Sequence, residues 1–208
     1  MSALALSPKH RRTQEERSAT TRARLLDATI ECLSELGYAN TTTTEIAKRA
    51  GLSRGAQLHH FPTKIELVTT AVDHVFARRT EEFRAAFAHL PSGADRTAAA
   101  IELLWSMVSG QTFYAWLELV VAARTDADLE PAVSAMATRF ADTVGVTFHE
   151  LFPDPAARGP FFNIAPHFAF ALLQGLALDR ISVKNDPGLQ VSLELLKTLA
   201  SWAITPRT

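Results

Sequence analysis

Three helix-start signals stand close together between Thr42 and Glu66, and they leave room for little except short helices joined by tight turns. Thr42-Thr43-Thr44-Glu45 has the pattern of a capping box, with the Thr42 hydroxyl capping the helix and Glu45 reaching back. The helix it opens, 43–50, stops at Gly51, the residue that takes a left-handed C-cap without steric cost. Ser53 caps a second short helix, 54–60, which Pro62 prevents from continuing. Thr63-Lys64-Ile65-Glu66 then repeats the capping box at the head of a long amphipathic helix reaching about Phe87.

The rest of the chain is helical by period as well, and no segment sustains a period-two alternation. Upstream, Leu25, Leu26, Thr29, Cys32, Leu33 and Leu36 form one apolar stripe that ends at Gly37. Beyond Pro91-Ser92-Gly93 the pattern predicts helices over 95–109, 111–125, 129–151 and 164–182, and from 188 to about 203. Prolines make 152–160 a loop, whereas Pro166 is tolerated in the first turn of its helix. The expectation is an all-α protein of about nine helices. Its 208 residues allow one or two domains at roughly 100–200 residues each.

Charge is unevenly spread. The net charge is -1, yet residues 1–60 hold nine lysines and arginines against six acids, and the remainder is acidic. Residues 1–17 read as a flexible basic arm, with a helix able to begin at Thr13. A basic head on an acidic body hints at phosphate contact. The single cysteine, Cys32, excludes an internal disulfide and lies on the apolar stripe. No signal-peptide core is visible, and the uncharged stretch 159–178 is too interrupted by Pro160, Asn163, Pro166, His167 and Gln174 for a membrane span. A cytoplasmic protein without a membrane partner is expected.

No enzyme is legible. Gly51-Leu52-Ser53-Arg54-Gly55 matches a hydrolase elbow, but that motif needs a strand before the serine. His149-Glu150 lacks the second histidine of a zinc protease, and the adjacent His59 and His60 point to different helix faces. No cofactor or metal site is expected.

Two helices joined by a three-residue, glycine-containing turn have the spacing of a helix-turn-helix, whose second helix enters the DNA major groove. Ile46, Ala50, Leu52, Leu58 and Phe61 would supply the apolar contacts and small Ala47 a close crossing, leaving Arg54, Gly55, Gln57, His59 and His60 facing outward. Arginine can be bidentate to guanine, glutamine can pair with adenine, and glycine admits a close backbone. Thr42, Thr43, Ser53 and Lys64, at or beside helix N-termini, are placed to hold phosphates of a double-stranded operator.

The run Gly37-Tyr38-Ala39-Asn40-Thr41-Thr42 through His59-His60-Phe61-Pro62-Thr63-Lys64 resembles the signature of the tetracycline-repressor (TetR) family, over roughly residues 20–68. The resemblance implies a homodimeric transcriptional regulator with an N-terminal three-helix DNA-binding domain and a larger helical ligand-binding and dimerisation domain. The corresponding divisions are an arm at 1–17, a helix-turn-helix domain at 18–66 and an effector-binding domain at 67–208. One departure stands out. Where the family usually carries Leu-Tyr, with the tyrosine on phosphate, this chain has Gln57-Leu58, which shifts the expected DNA contact toward Gln57 and the two histidines.

In the larger half, Trp105, Phe113, Trp116, Phe140, Phe148 and Phe170, with Glu118 and His167 as polar fixers, are candidates to hold an unknown, largely hydrophobic effector. Helix 164–182 is apolar nearly all round. Its Phe168, Ala171, Leu172, Gly175 and Leu176, with Leu193, Leu196 and Leu199 of the last helix, are expected at an isologous four-helix dimer interface. Together these describe a repressor released from a near-palindromic operator by its effector. The alternative is a helical protein that binds a small molecule or partner without specific DNA binding.

Overall fold

A computed structural model describes residues 13–91, 95–153, 161–183 and 187–204; most of the expected arm, with its Lys9, Arg11 and Arg12, and most of the loop 152–160 lie outside them. The described residues form nine helices and no strand: α1 (Gln14–Asn40), α2 (Thr43–Arg49), α3 (Arg54–His60), α4 (Lys64–Ala88), α5 (Arg96–Val108), α6 (Gln111–Ala123), α7 (Glu130–Leu151), α8 (Ala165–Ser182) and α9 (Gly188–Ile204). No helix among them is long and apolar enough to cross a membrane.

Helix α1 opens with a full capping box. The Glu16 amide donates to Thr13 Oγ1 at 3.1 Å, and the Thr13 amide donates to Glu16 Oε2 at 2.8 Å. Gln14–Arg17 are therefore helical, which shortens the expected flexible arm. The helix breaks at Gly37, whose φ of 73° is a conformation other residues rarely adopt, and a single turn continues to Asn40.

Two cores hold the chain together. The first gathers Leu25, Cys32 and Leu33 of α1, Ile46 of α2, Phe61, and Leu67, Val68 and Val72 of α4. It does not stop at the helix-turn-helix: Ala115 and Leu119 of α6 and Met136 of α7 belong to it. Each fully buried leucine or phenylalanine contributes roughly 1.5–3 kcal/mol. Burial also raises the pKa of the Cys32 thiol, as befits a core residue. The second core joins α5, α8 and α9 through Ile101, Leu173, Leu193 and Leu196.

Candidate nucleic-acid interface and core cavity

The turn between α2 and α3 is built by its own backbone. Gly51, at φ 63°, donates its N–H to Lys48 O at 3.0 Å, and the Leu52 N–H reaches Ala47 O at 2.9 Å. This is a Schellman motif, which satisfies the last carbonyls of α2. Arg24 Nη2 on α1 donates to Ala50 O at 2.5 Å and so ties the turn to the long helix. Helix starts follow the sequence pattern in part: Thr42, Ser53 and Thr63 each accept, through the side-chain oxygen, from the amide three residues on, but Glu45 and Glu66 make no return bond to the Thr42 and Thr63 amides, so the two expected capping boxes are half-formed.

On α3, Arg54, Gly55 and His59 are exposed and His60 is half-buried. Arg54 has no hydrogen bond or ion pair to any described residue, so its guanidinium is free to meet a base or phosphate. The rings of His59 and His60 meet edge-on at 5.3 Å. Burial, then the neighbouring His59 and Arg22 charges, hold the His60 imidazole below its ordinary value. Arg22 lies over the Phe61 ring at 4.5 Å.

Two expected DNA contacts are corrected. Gln57 is 0% exposed: its Nε2 donates to Phe61 O at 2.6 Å, and its Oε1 has no partner. Residues 57 and 61 share the inward face of α3, so Leu58 turns outward at 45% exposed instead of packing between the helices. Lys64 is also committed within the protein. Its Nζ donates to Tyr38 O at 2.6 Å and sits 3.8 Å from the Tyr38 ring centre, and desolvation lowers its pKa.

Tyr38 is a junction between the helix-turn-helix and the rest. Its amide donates to Glu118 Oε2 of α6 at 3.0 Å, and its hydroxyl donates to Asp126 Oδ2 at 3.4 Å. Glu118 is thus a strut between the two halves rather than an effector ligand. A Cβ at Gly37 would lie 2.8 Å from the same Oε2, so glycine is required there twice over.

The larger half encloses a cavity of about 690 Å³, counting its open mouth, between α4, α5, α7, α8 and α9. Of the expected effector contacts only Phe148 lines it. Phe113, Trp116, Phe140 and Phe170 line a separate recess of about 300 Å³, Trp105 packs against the second core under Arg180, and His167 is exposed. Helix period alone does not tell which apolar face meets a void and which meets another helix. The cavity's Thr147 carried no sequence signal at all.

The expected dimer face is out of phase by a residue in places. Leu176, Leu193 and Leu196 are buried in the protomer's own core, and Leu172 is half-buried. The exposed stripe runs from Ile164, at the head of α8, through Phe168, Ala171, Gly175 and Leu178 on that helix, with Val191, Leu195, Leu199 and Trp202 exposed on α9.

Residues 25–71 match the sequence profile of bacterial regulatory proteins of the tetR family. An uncharacterised helix-turn-helix-type transcriptional regulator of Mycobacterium tuberculosis is 39% identical over 119 residues, covering 57% of this chain and 61% of its own. The regulator CymR of Pseudomonas putida is 36% identical over 134 residues, covering 64% of this chain and 66% of its own. The matched stretch thus spans under two thirds of either relative. In fold, a transcriptional regulator from Saccharomonospora viridis, solved in complex with choline, aligns over 91% of this chain and all of its own with a TM-score of 0.69 and 18% identity.

Proposed function

We propose that this chain, whose residues 25–71 match the profile of the TetR family of bacterial regulatory proteins, is a homodimeric, sequence-specific DNA-binding regulator of transcription. The observation that carries this reading is the outward end of α3. Arg54, Gly55, Leu58 and His59 stand exposed on a helix whose position is fixed by the Gly51 turn and the Arg24 tether. A duplex operator is the partner this surface suits, with Ser53, Thr42 and Thr43 at the helix starts beside the phosphates.

The apolar stripe of α8 and α9 pairs with its copy in a four-helix interface, setting the two recognition helices about 34–36 Å apart on a near-palindromic operator. The protein acts as a repressor in the cytoplasm, and a small, largely hydrophobic effector in the core cavity releases it. Helix α4 supports such coupling, since Thr80 and Phe83 line the cavity while Lys64, at its other end, holds Tyr38. Coupling of about 1–3 kcal/mol weakens operator binding roughly 5–150-fold.

Selection of operators from a random duplex pool tests the proposal. Wild-type protein recovers a near-palindrome, and Arg54→Ala relaxes it at defined bases. A folded dimer that recovers no motif overturns the reading in favour of a helical protein that only binds a small molecule.

A further inference from the structure

Thr147 departs from a pattern that most threonines inside the described helices keep. Thr29, Thr80, Thr138 and Thr143 each donate the hydroxyl to the carbonyl four residues back in their own helix. Thr147, one turn after Thr143, is 5% exposed, and its Oγ1 has no partner. A buried hydroxyl left unpaired is costly, and native proteins keep few of them. This one belongs to a residue on the cavity wall.

The remainder of that wall fixes the chemistry. Phe83, Ile101, Leu104, Met107 and Phe148 dominate it, and no lysine, arginine, histidine, aspartate or glutamate is among the described residues that line it. The Thr80 hydroxyl is already spent on Phe76 O at 2.9 Å, and Thr97 is partly open to solvent. An ion entering such a space would lose its hydration with no counter-charge to replace it.

We propose that this cavity binds an uncharged ligand, hydrocarbon over most of its surface, that presents one hydrogen-bond acceptor to the Thr147 hydroxyl. The ligand's role as effector rests on the regulatory reading above; its binding stands on the cavity alone.

Calorimetric titration of the full chain without DNA tests the binding, using benzylacetone, butylbenzene, phenylbutyrate and the trimethyl(phenylpropyl)ammonium ion. The four share a frame and differ in carrying a carbonyl, nothing, a carboxylate or a quaternary ammonium. Benzylacetone binds tightest, and the two ions bind at least tenfold more weakly than butylbenzene. Thr147→Val lowers benzylacetone affinity roughly tenfold, the loss of about one hydrogen bond, and leaves butylbenzene unchanged. The same variant, without ligand, unfolds at no lower temperature than wild type, because it removes an unpaired polar group. Equal binding of an ion, no binding of any probe, unaltered benzylacetone affinity in Thr147→Val, or a lower unfolding temperature of that variant overturns the proposal. If benzylacetone binds as predicted yet leaves operator affinity unchanged, the cavity stands and its role as effector site falls.

Discussion

Gln57 shows how a single side chain changes the account of the interface. Read as sequence, a glutamine on a recognition helix invites pairing with adenine; in the structure it fills a core position beside Phe61 and leaves Oε1 unpartnered. Gln57→Leu is therefore expected to leave stability within about 1 kcal/mol of wild type or to raise it, since it removes the orphaned acceptor and supplies apolar volume. Operator affinity should hold. A glutamine that read a base would lose about 1–3 kcal/mol of discrimination at one position on the same change, so binding isotherms decide. His60 gives a pH signature. Its imidazole is held below the ordinary 6.5, chiefly by burial, so the unfolded chain takes up a proton before the folded one. The associated stability is full above that value and is lost as pH falls through it toward the lower folded value. His60→Gln should flatten that part of the profile in urea unfolding followed between about pH 7.5 and 5.5.

Among the elements, most boundaries were legible because they rest on local chemistry. Gly37 and Gly51 both adopt positive φ, and Thr42, Ser53 and Thr63 cap as their spacing predicts. What periodicity could not fix was rotational phase on short or uniformly apolar helices. Helix α3 has too few turns to separate an inward 57 from an inward 58. Helix α8 is apolar on every side, so the face turned to its own core and the face left open look alike in sequence. Glu118 was misread for a different reason: its partner is a backbone amide some eighty residues away, and no local pattern encodes that. Gly37→Ala tests this junction. It forces a β-carbon into a positive-φ position and against Glu118 Oε2, at a cost of about 1–3 kcal/mol in denaturant unfolding. An unchanged midpoint would mean that α6 does not brace the turn.

At the scale of the whole molecule, the first core runs from the helix-turn-helix into α6 and α7, so the N-terminal unit is not mechanically separate from the larger half. On the proposed reading, that continuity would carry occupancy of the cavity among α4, α5, α7, α8 and α9 to the placing of α3. Dimerisation enters the same argument, because one recognition helix alone reads only half a palindrome. Leu195→Glu places a charge in the centre of the exposed α9 stripe, next to Val191 and Leu199. Sedimentation should show a monomer with wild-type helicity and operator affinity lowered at least tenfold; a dimer of unchanged affinity would put the interface elsewhere.

The most direct test is binding of the selected operator and of a scrambled duplex over a series of potassium chloride concentrations, followed by fluorescence anisotropy. For a protein neutralising about six to ten phosphates, the logarithm of affinity falls with the logarithm of salt at a slope of about −0.9 per phosphate. The operator should exceed the scrambled duplex by about 1,000-fold or more near physiological salt. Equal affinity for the two duplexes, or binding that salt does not weaken, would contradict the assignment of this chain as a sequence-specific regulator.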